Sequence, residues 1–216
     1  PGPLYDFLAA PLVVHLPKGA TLIATSVISP FMVPLKILLM SAFLLALPFV
    51  LWQVWAFVAP GLYSHEKKLV LPLVVSSTVL FFIGVAFCYY FVFGQVFAFI
   101  QSFAPKSITA APDIEAYLSF VLSMFLAFGL AFEVPIAVVV LARMGVVSIE
   151  KLKNFRGYFI VIAFVIAAIV TPPDVVSQLA LAVPMCILYE IGIWAAQLFI
   201  KHTKAPNAAE EETASS

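Results

Sequence analysis

Five stretches of this chain are apolar for about as long as a bilayer is thick, and no other feature restricts its fold so severely. A helix rises about 1.5 Å per residue, so crossing about 30 Å of hydrocarbon takes about 20 apolar residues. Runs that meet or approach this length cover about residues 34–59, 69–103, 117–141, 155–170 and 175–200. The last two are separated by "TPPD", whose adjacent prolines must stop a helix. The composition agrees: 64% of residues are hydrophobic, 21 are Phe, and only 10% are charged, against about 25% charged in a soluble domain. The fold class is therefore all-α, a polytopic integral membrane protein with one transmembrane domain over residues 1–200. Residues 1–33 read as an external loop with short helical pieces, and residues 201–216 as a disordered cytoplasmic tail.

Cations set the orientation. Lys67, Lys68, Arg143, Lys151, Lys153, Arg156, Lys201 and Lys204 all fall on one side, eight of the eleven, and that side is the cytoplasm. Lys18, Lys36 and Lys106 fall on the other. The chain opens without an initiator Met or a signal-peptide pattern and reads as a fragment. Five spans and a cytoplasmic C-terminus place its start outside, so a cytoplasmic N-terminus calls for one further span, six in the intact protein. The 35 residues of 69–103 would reach about 50 Å as a helix and must tilt or project. Residues 155–170 reach only about 24 Å. Their partner is apolar for a similar length before Glu190 interrupts it, which predicts a short helical pair, accommodated by local bilayer thinning or by cover from neighbouring spans.

Few side chains are placed to do chemistry. Glu133 sits inside "AFGLAFEVPIAVVV", roughly 12 Å from the nearer end of its span and too deep to snorkel. Gly129 and Ala137 share its helical face and predict a groove with small walls, while Pro135 predicts a kink beside it. Such an acid faces a cavity, a cargo path or a partner helix, or is a protonated carboxyl bonded to a neighbouring span. In "PGLYSHEKKL", Glu66 lies beside His65, Lys67 and Lys68, after an aromatic run with Trp52, Trp55 and Phe57, and beside Tyr63. That set suits a guanidinium, through a bidentate pair and ring stacking, and equally suits a solvated loop and an interfacial belt. Asp174 reads as an N-cap, and Gln178, one turn further in, as an amide for a helix of another subunit.

Cys88 and Cys186 lack metal or redox spacing and read as core. The three histidines fall on separate segments, and no nucleophile and base set, metal spacing or phosphate loop is present, so no enzyme, metal site or cofactor is expected. A balanced charge without a basic face speaks against nucleic acid. On residues alone, a proton- or ion-coupled transporter with buried Glu133 and Glu190 as a relay ranks first, although no internal repeat supports it.

In order along the chain, "SPFMVPLK", "QVWAFVAPGLYSHEKK", "AYLSFVLSMFLAFGLAFEVP" and "TPPDVVSQLALAVPM" closely resemble the TatC family of the bacterial twin-arginine protein translocase. The resemblance reaches to about Ile200. It implies a glove-shaped six-span bundle in the bacterial cytoplasmic (inner) membrane, with both termini cytoplasmic. It also implies a receptor for twin-arginine signal peptides that works with TatA, TatB, membrane lipid and other TatC copies to move folded proteins by the proton motive force. Carried over by motif, Glu66 with Phe57 and Lys68 would bind the signal peptide, and Glu133 would be the acid of the concave face. Thr171, Asp174 and Gln178 would lie where partner subunits dock. Pro11 and Pro48 match positions sensitive to change. The family's N-terminal cytoplasmic segment, which carries a second acid for the arginine pair, is not in these residues, so weak peptide binding by this chain is expected.

Overall fold

The computed structural model describes Pro3, Asp6, Leu8 and residues 23–58, 70–103, 112–171 and 174–203. Its first long helix, α1 (Ser29–Val58), starts ahead of the expected Pro34. Pro30 falls in the first turn, where a missing N–H costs nothing, and the Phe31 and Met32 amides reach the Ile28 carbonyl at 3.0 and 2.9 Å. Pro34 and Pro48 are carried inside the helix.

The long apolar run 69–103 is not one uniform helix. It comprises α2 (Val70–Phe87), a π-helical turn (Cys88–Val92) and α3 (Phe93–Phe103), with the Phe93 N–H reaching back to the Cys88 carbonyl. The next span is split as Pro135 predicts, into α4 (Ile114–Phe132) and α5 (Val134–Arg143). Pro135 has no N–H for the Ala131 carbonyl. Glu133 itself forms the joint, its amide turning to the Leu130 carbonyl at 3.1 Å before Ala137 N–H resumes the ladder on the Glu133 carbonyl at 3.0 Å.

Gly145, at φ 70°, closes the turn after α5, a backbone conformation glycine adopts without steric cost. Then follow α6 (Ile149–Asn154), capped by Ser148, α7 (Arg156–Val170) and α8 (Val175–Thr203). Among the described residues, four stretches are long and apolar enough to cross a membrane, Ser29–Val58, Leu71–Phe99, Ile114–Arg143 and Val175–Leu198, with α7 shorter.

The expected short helical pair needs correction. Only α7 is short, 15 residues or about 22 Å. Its partner α8 runs 29 residues, about 44 Å, straight through Glu190. Glutamate is a good helix former, and here its charge is met by Arg156, so nothing interrupts the helix. The tail expected from residue 201 is helical to Thr203, and 204–216 lie outside the described residues.

The spans pack through three apolar clusters. One joins α1, the π turn, α3, α4, α7 and α8 around Phe93, Phe128 and Leu181. The second joins α1, α2 and α5 through Leu47, Trp55, Phe81 and Ile136. The third joins α5, α6 and α8 through Val138, Tyr189 and Ile193. Lipid is as apolar as these side chains, so close contact and interhelical hydrogen bonds hold the spans together rather than water exclusion. Close contact has a sequence cause. A Cβ on Gly84 would lie 2.5 Å from the Phe128 carbonyl oxygen, and one on Gly192 2.9 Å from Pro135 Cα. Cys88 is buried in the first cluster and Cys186 half-buried against it.

Candidate functional site

Glu133 stands at the joint of the third span, and both its carboxyl oxygens are buried without a hydrogen-bond partner among the described residues. Ser77, on α2, faces it: it stands one turn before Phe81, whose ring meets Gly129 one turn before Glu133. The Ser77 hydroxyl accepts the Trp55 indole N–H at 2.9 Å, so three successive spans bring polar groups to one point in the apolar interior. The groove expected from Gly129 and Ala137 is not there. The Phe81 ring fills the space a Gly129 side chain would take, and Ala137 is exposed. The small residue admits a large one from the neighbouring helix, a cross-helix pairing that helical periodicity alone does not reveal.

Glu190 does not join Glu133 in a buried relay. It is about half exposed and paired with Arg156 at the start of α7, Nε to Oε1 2.6 Å and Nη2 to Oε2 2.7 Å. The bidentate pair ties α7 to α8, reinforced by the Phe159 and Tyr189 rings stacked at 4.1 Å, while the Tyr189 hydroxyl ties α8 to α6 by donating to the Leu152 carbonyl at 2.9 Å. The residue that was to pass protons is thus occupied in holding two helices, which removes the basis of the transporter reading.

Thr171, Asp174 and Gln178 gather where α7 gives way to α8. The buried Thr171 hydroxyl donates to the Ala167 carbonyl at 2.8 Å. Asp174 caps α8 as expected, one oxygen accepting the Ser177 N–H at 2.7 Å. Its other oxygen and the Ser177 hydroxyl are buried without a partner among the described residues, and Gln178 is half-buried one turn on. Beside them a groove of about 400 Å3 runs between the π turn and α8, lined by Phe91, Gln95, Leu179 and Val183 among others.

Phe57, near the end of α1, is 87% exposed, and Trp52 also points outward, while Trp55 turns in. Pro48 is exposed on α1. Glu66, Lys68, Tyr63, His65 and Pro11 lie outside the described residues.

One polar group escaped the sequence reading. Glu115, in the first turn of α4, accepts from Lys36 Nζ at 2.8 Å and from the buried Ser29 hydroxyl at 2.8 Å, and Lys36 also reaches Ser119 at 2.9 Å. Next to it Asp113 caps α4 through Ala116 N–H and takes both the amide and the hydroxyl of Thr25. These donors, the Ala116 N–H foremost and then the Thr25 N–H, hold the Asp113 carboxyl below its ordinary value. A backbone bridge between Ile23 and Asp113 completes the junction. The only available signal was a lysine and a glutamate each within the first turns of a span, and they are 79 residues apart.

The family model described as TatC, Sec-independent protein translocase protein, matches residues 2–184. Proteins named Sec-independent protein translocase protein TatC are similar along most of the chain. The one from Halothiobacillus neapolitanus is 54% identical over 209 residues, 97% of this chain and 57% of that protein. The one from Escherichia coli is 49% identical over 197 residues, 91% of this chain and 76% of that protein. The chain thus spans between about half and three quarters of the length of these two relatives. A crystal structure described as the twin arginine translocase receptor TatC superposes with a TM-score of 0.80 at 41% identity, covering 91% of this chain and 86% of that one.

Proposed function

The chain belongs to the TatC family, and on that premise we propose that it is the twin-arginine signal-peptide receptor and core of a Sec-independent translocase. In this reading it works in the bacterial cytoplasmic membrane with TatA, TatB and further copies of itself to carry folded proteins across by the proton motive force. The observation that carries the reading is the superposition of its described spans on a structure described as the twin arginine translocase receptor.

The orientation that suits this role puts Val58, Arg143, Lys151 and Lys153 on the cytoplasmic side, following the cations. Glu66 then takes the arginine pair of the signal peptide, with Lys68 beside it and the outward-facing Phe57 packing against the peptide. A carboxylate holds a guanidinium by two parallel charge-assisted hydrogen bonds, which an ammonium cannot match. That difference gives the site its preference for arginine over lysine. Thr171, Asp174 and Gln178 serve the partner subunits. Supporting this, one Asp174 oxygen and the Ser177 hydroxyl are buried with no partner among the described residues. An incoming helix with polar groups would meet them.

A photo-reactive residue at position 57 of the intact receptor, in membranes, tests the reading. Cross-linking to a peptide with two arginines should exceed that to its two-lysine counterpart, and Glu66→Gln should lower the first about tenfold, the worth of a charge-assisted bond. Equal cross-linking of the two peptides would overturn it.

A further inference from the structure

Hydroxyls inside a helix ordinarily return their hydrogen to the carbonyl four residues back. Ser41, Ser76, Thr78, Ser119 and Thr171 all do so, at 2.7 or 2.8 Å. Ser77 does not. It is fully buried, and its partner is the indole of Trp55 on the neighbouring span, itself 8% exposed. The indole N–H occupies a lone pair of the hydroxyl oxygen and leaves the hydroxyl hydrogen for another acceptor. The Phe81 ring meets Gly129, so Ser77, one turn before Phe81, faces Glu133, one turn after Gly129, and the two carboxyl oxygens of Glu133 are buried and unpartnered among the described residues. Glu133 is also the joint between α4 and α5, where the helical ladder is interrupted. Among the described residues, an acceptor without a donor stands next to a donor without an acceptor.

We infer that Ser77 is a positioning residue for Glu133, capturing its carboxyl, and that the bond from Trp55 couples this capture to the end of α1 that carries Phe57. The inference rests on the reading of that end as the signal-peptide site. Accepting a hydrogen bond from the indole polarises the Ser77 O–H and makes it a stronger donor. Trp55 and Phe57 share the last turn of α1, so a peptide that shifts this turn moves the indole, weakens the hold of Ser77 and releases Glu133 into the membrane interior. The coupling needs no contact between peptide and acid. It requires only that the peptide prefer one of two arrangements of the Trp55 side chain.

The infrared carbonyl band of Glu133, in the intact receptor with its partner subunits in membrane vesicles, reads the contact directly; its loss in Glu133→Gln identifies it. Ser77→Ala should shift that band, and Ser77→Thr should leave it in place. A twin-arginine peptide should shift the wild-type band in the same direction as Ser77→Ala does and should not move the band of Ser77→Ala. Transport should fall about fivefold in Ser77→Ala, return to within about twofold in Ser77→Thr, and fall no further when Ser77→Ala is added to Glu133→Ala, the non-additivity expected of two groups acting as one. Should Ser77→Ala fail to accumulate, Ser77→Cys, similar in volume but a weak donor, carries the same comparison. An unmoved band in Ser77→Ala or Ser77→Cys overturns the capture, and a wild-type band that ignores the peptide overturns the coupling. If two-arginine and two-lysine peptides bind alike, the receptor reading fails. The comparison of Ser77→Ala with Ser77→Thr then still decides whether Ser77 holds the acid.

Discussion

The span Ile114–Arg143 carries two carboxylates that the fold treats in opposite ways. Glu115, one turn in, has Lys36 and Ser29 on its two oxygens, and the lysine reaches Ser119 as well. Glu133, deep in the same span, has no partner on either oxygen among the described residues. The first arrangement is what a structural contact requires, because each polar group taken into an apolar medium is repaid by a partner. The second has only the Ser77 hydroxyl proposed to hold it, less than burying an acid costs, so its justification has to lie outside the resting fold. On the proposed reading, a carboxylate that stabilises and one that acts share a single span.

The strongest way to break this contrast is Glu133→Ala. Cargo transport should fall at least about tenfold, while the melting temperature of the purified protein stays level or rises, since a buried acid with no more than the Ser77 hydroxyl to hold it is being removed. A drop in melting temperature would place Glu133 with the structural group instead. Lys36→Met should do the reverse. Stripped of its counter-ion, Glu115 is left facing Ser29 alone, and the melting temperature should fall by roughly 5 °C, with recovery when Glu115→Leu is added. If the single variant melts like the parent, the junction is ornamental and the contrast collapses.

Smaller effects calibrate the scale. Tyr189→Phe deletes one buried interhelical bond to Leu152 and should lower unfolding free energy by about 0.6 kcal/mol, an ordinary value between membrane helices, read by denaturation in mixed micelles. Smallest is Asp113. Its folded-state carboxyl is held below the ordinary value, so its contribution is complete above the unfolded value and is lost as pH falls through the depressed one. Melting curves between pH 5 and pH 3 should show a slope that flattens in Asp113→Asn, which keeps the cap and loses the titration. An unchanged slope would assign it to other acids.

What the sequence disclosed about this molecule and what it withheld follow from the reach of each interaction. The spans were legible because about 20 consecutive apolar residues are a local property. So was the break at Glu133, since Pro135 acts on its own helix. The pairing of Lys36 with Glu115 was hidden, with 79 residues between them, as was Arg156 with Glu190, 34 apart. The expected groove at Gly129 failed for the same reason, since Phe81 arrives from another helix. Glu133 was singled out by its depth alone, but that Ser77 rather than Ser76 or Thr78 stands beside it depends on how α2 is rotated, which no local pattern records.

That rotation has a counterpart further along the same span. The π turn at Cys88–Val92 takes one residue more than an α-helical turn would. It acts as a phase shifter, offsetting everything after it by about 100° around the helix axis. Phe93, Val96 and Phe97, all buried, face the bundle only because of that offset. Deleting one residue there would leave hydropathy and span length almost unchanged and yet swing these side chains away from α4, so in this span the count of residues matters as much as their kind.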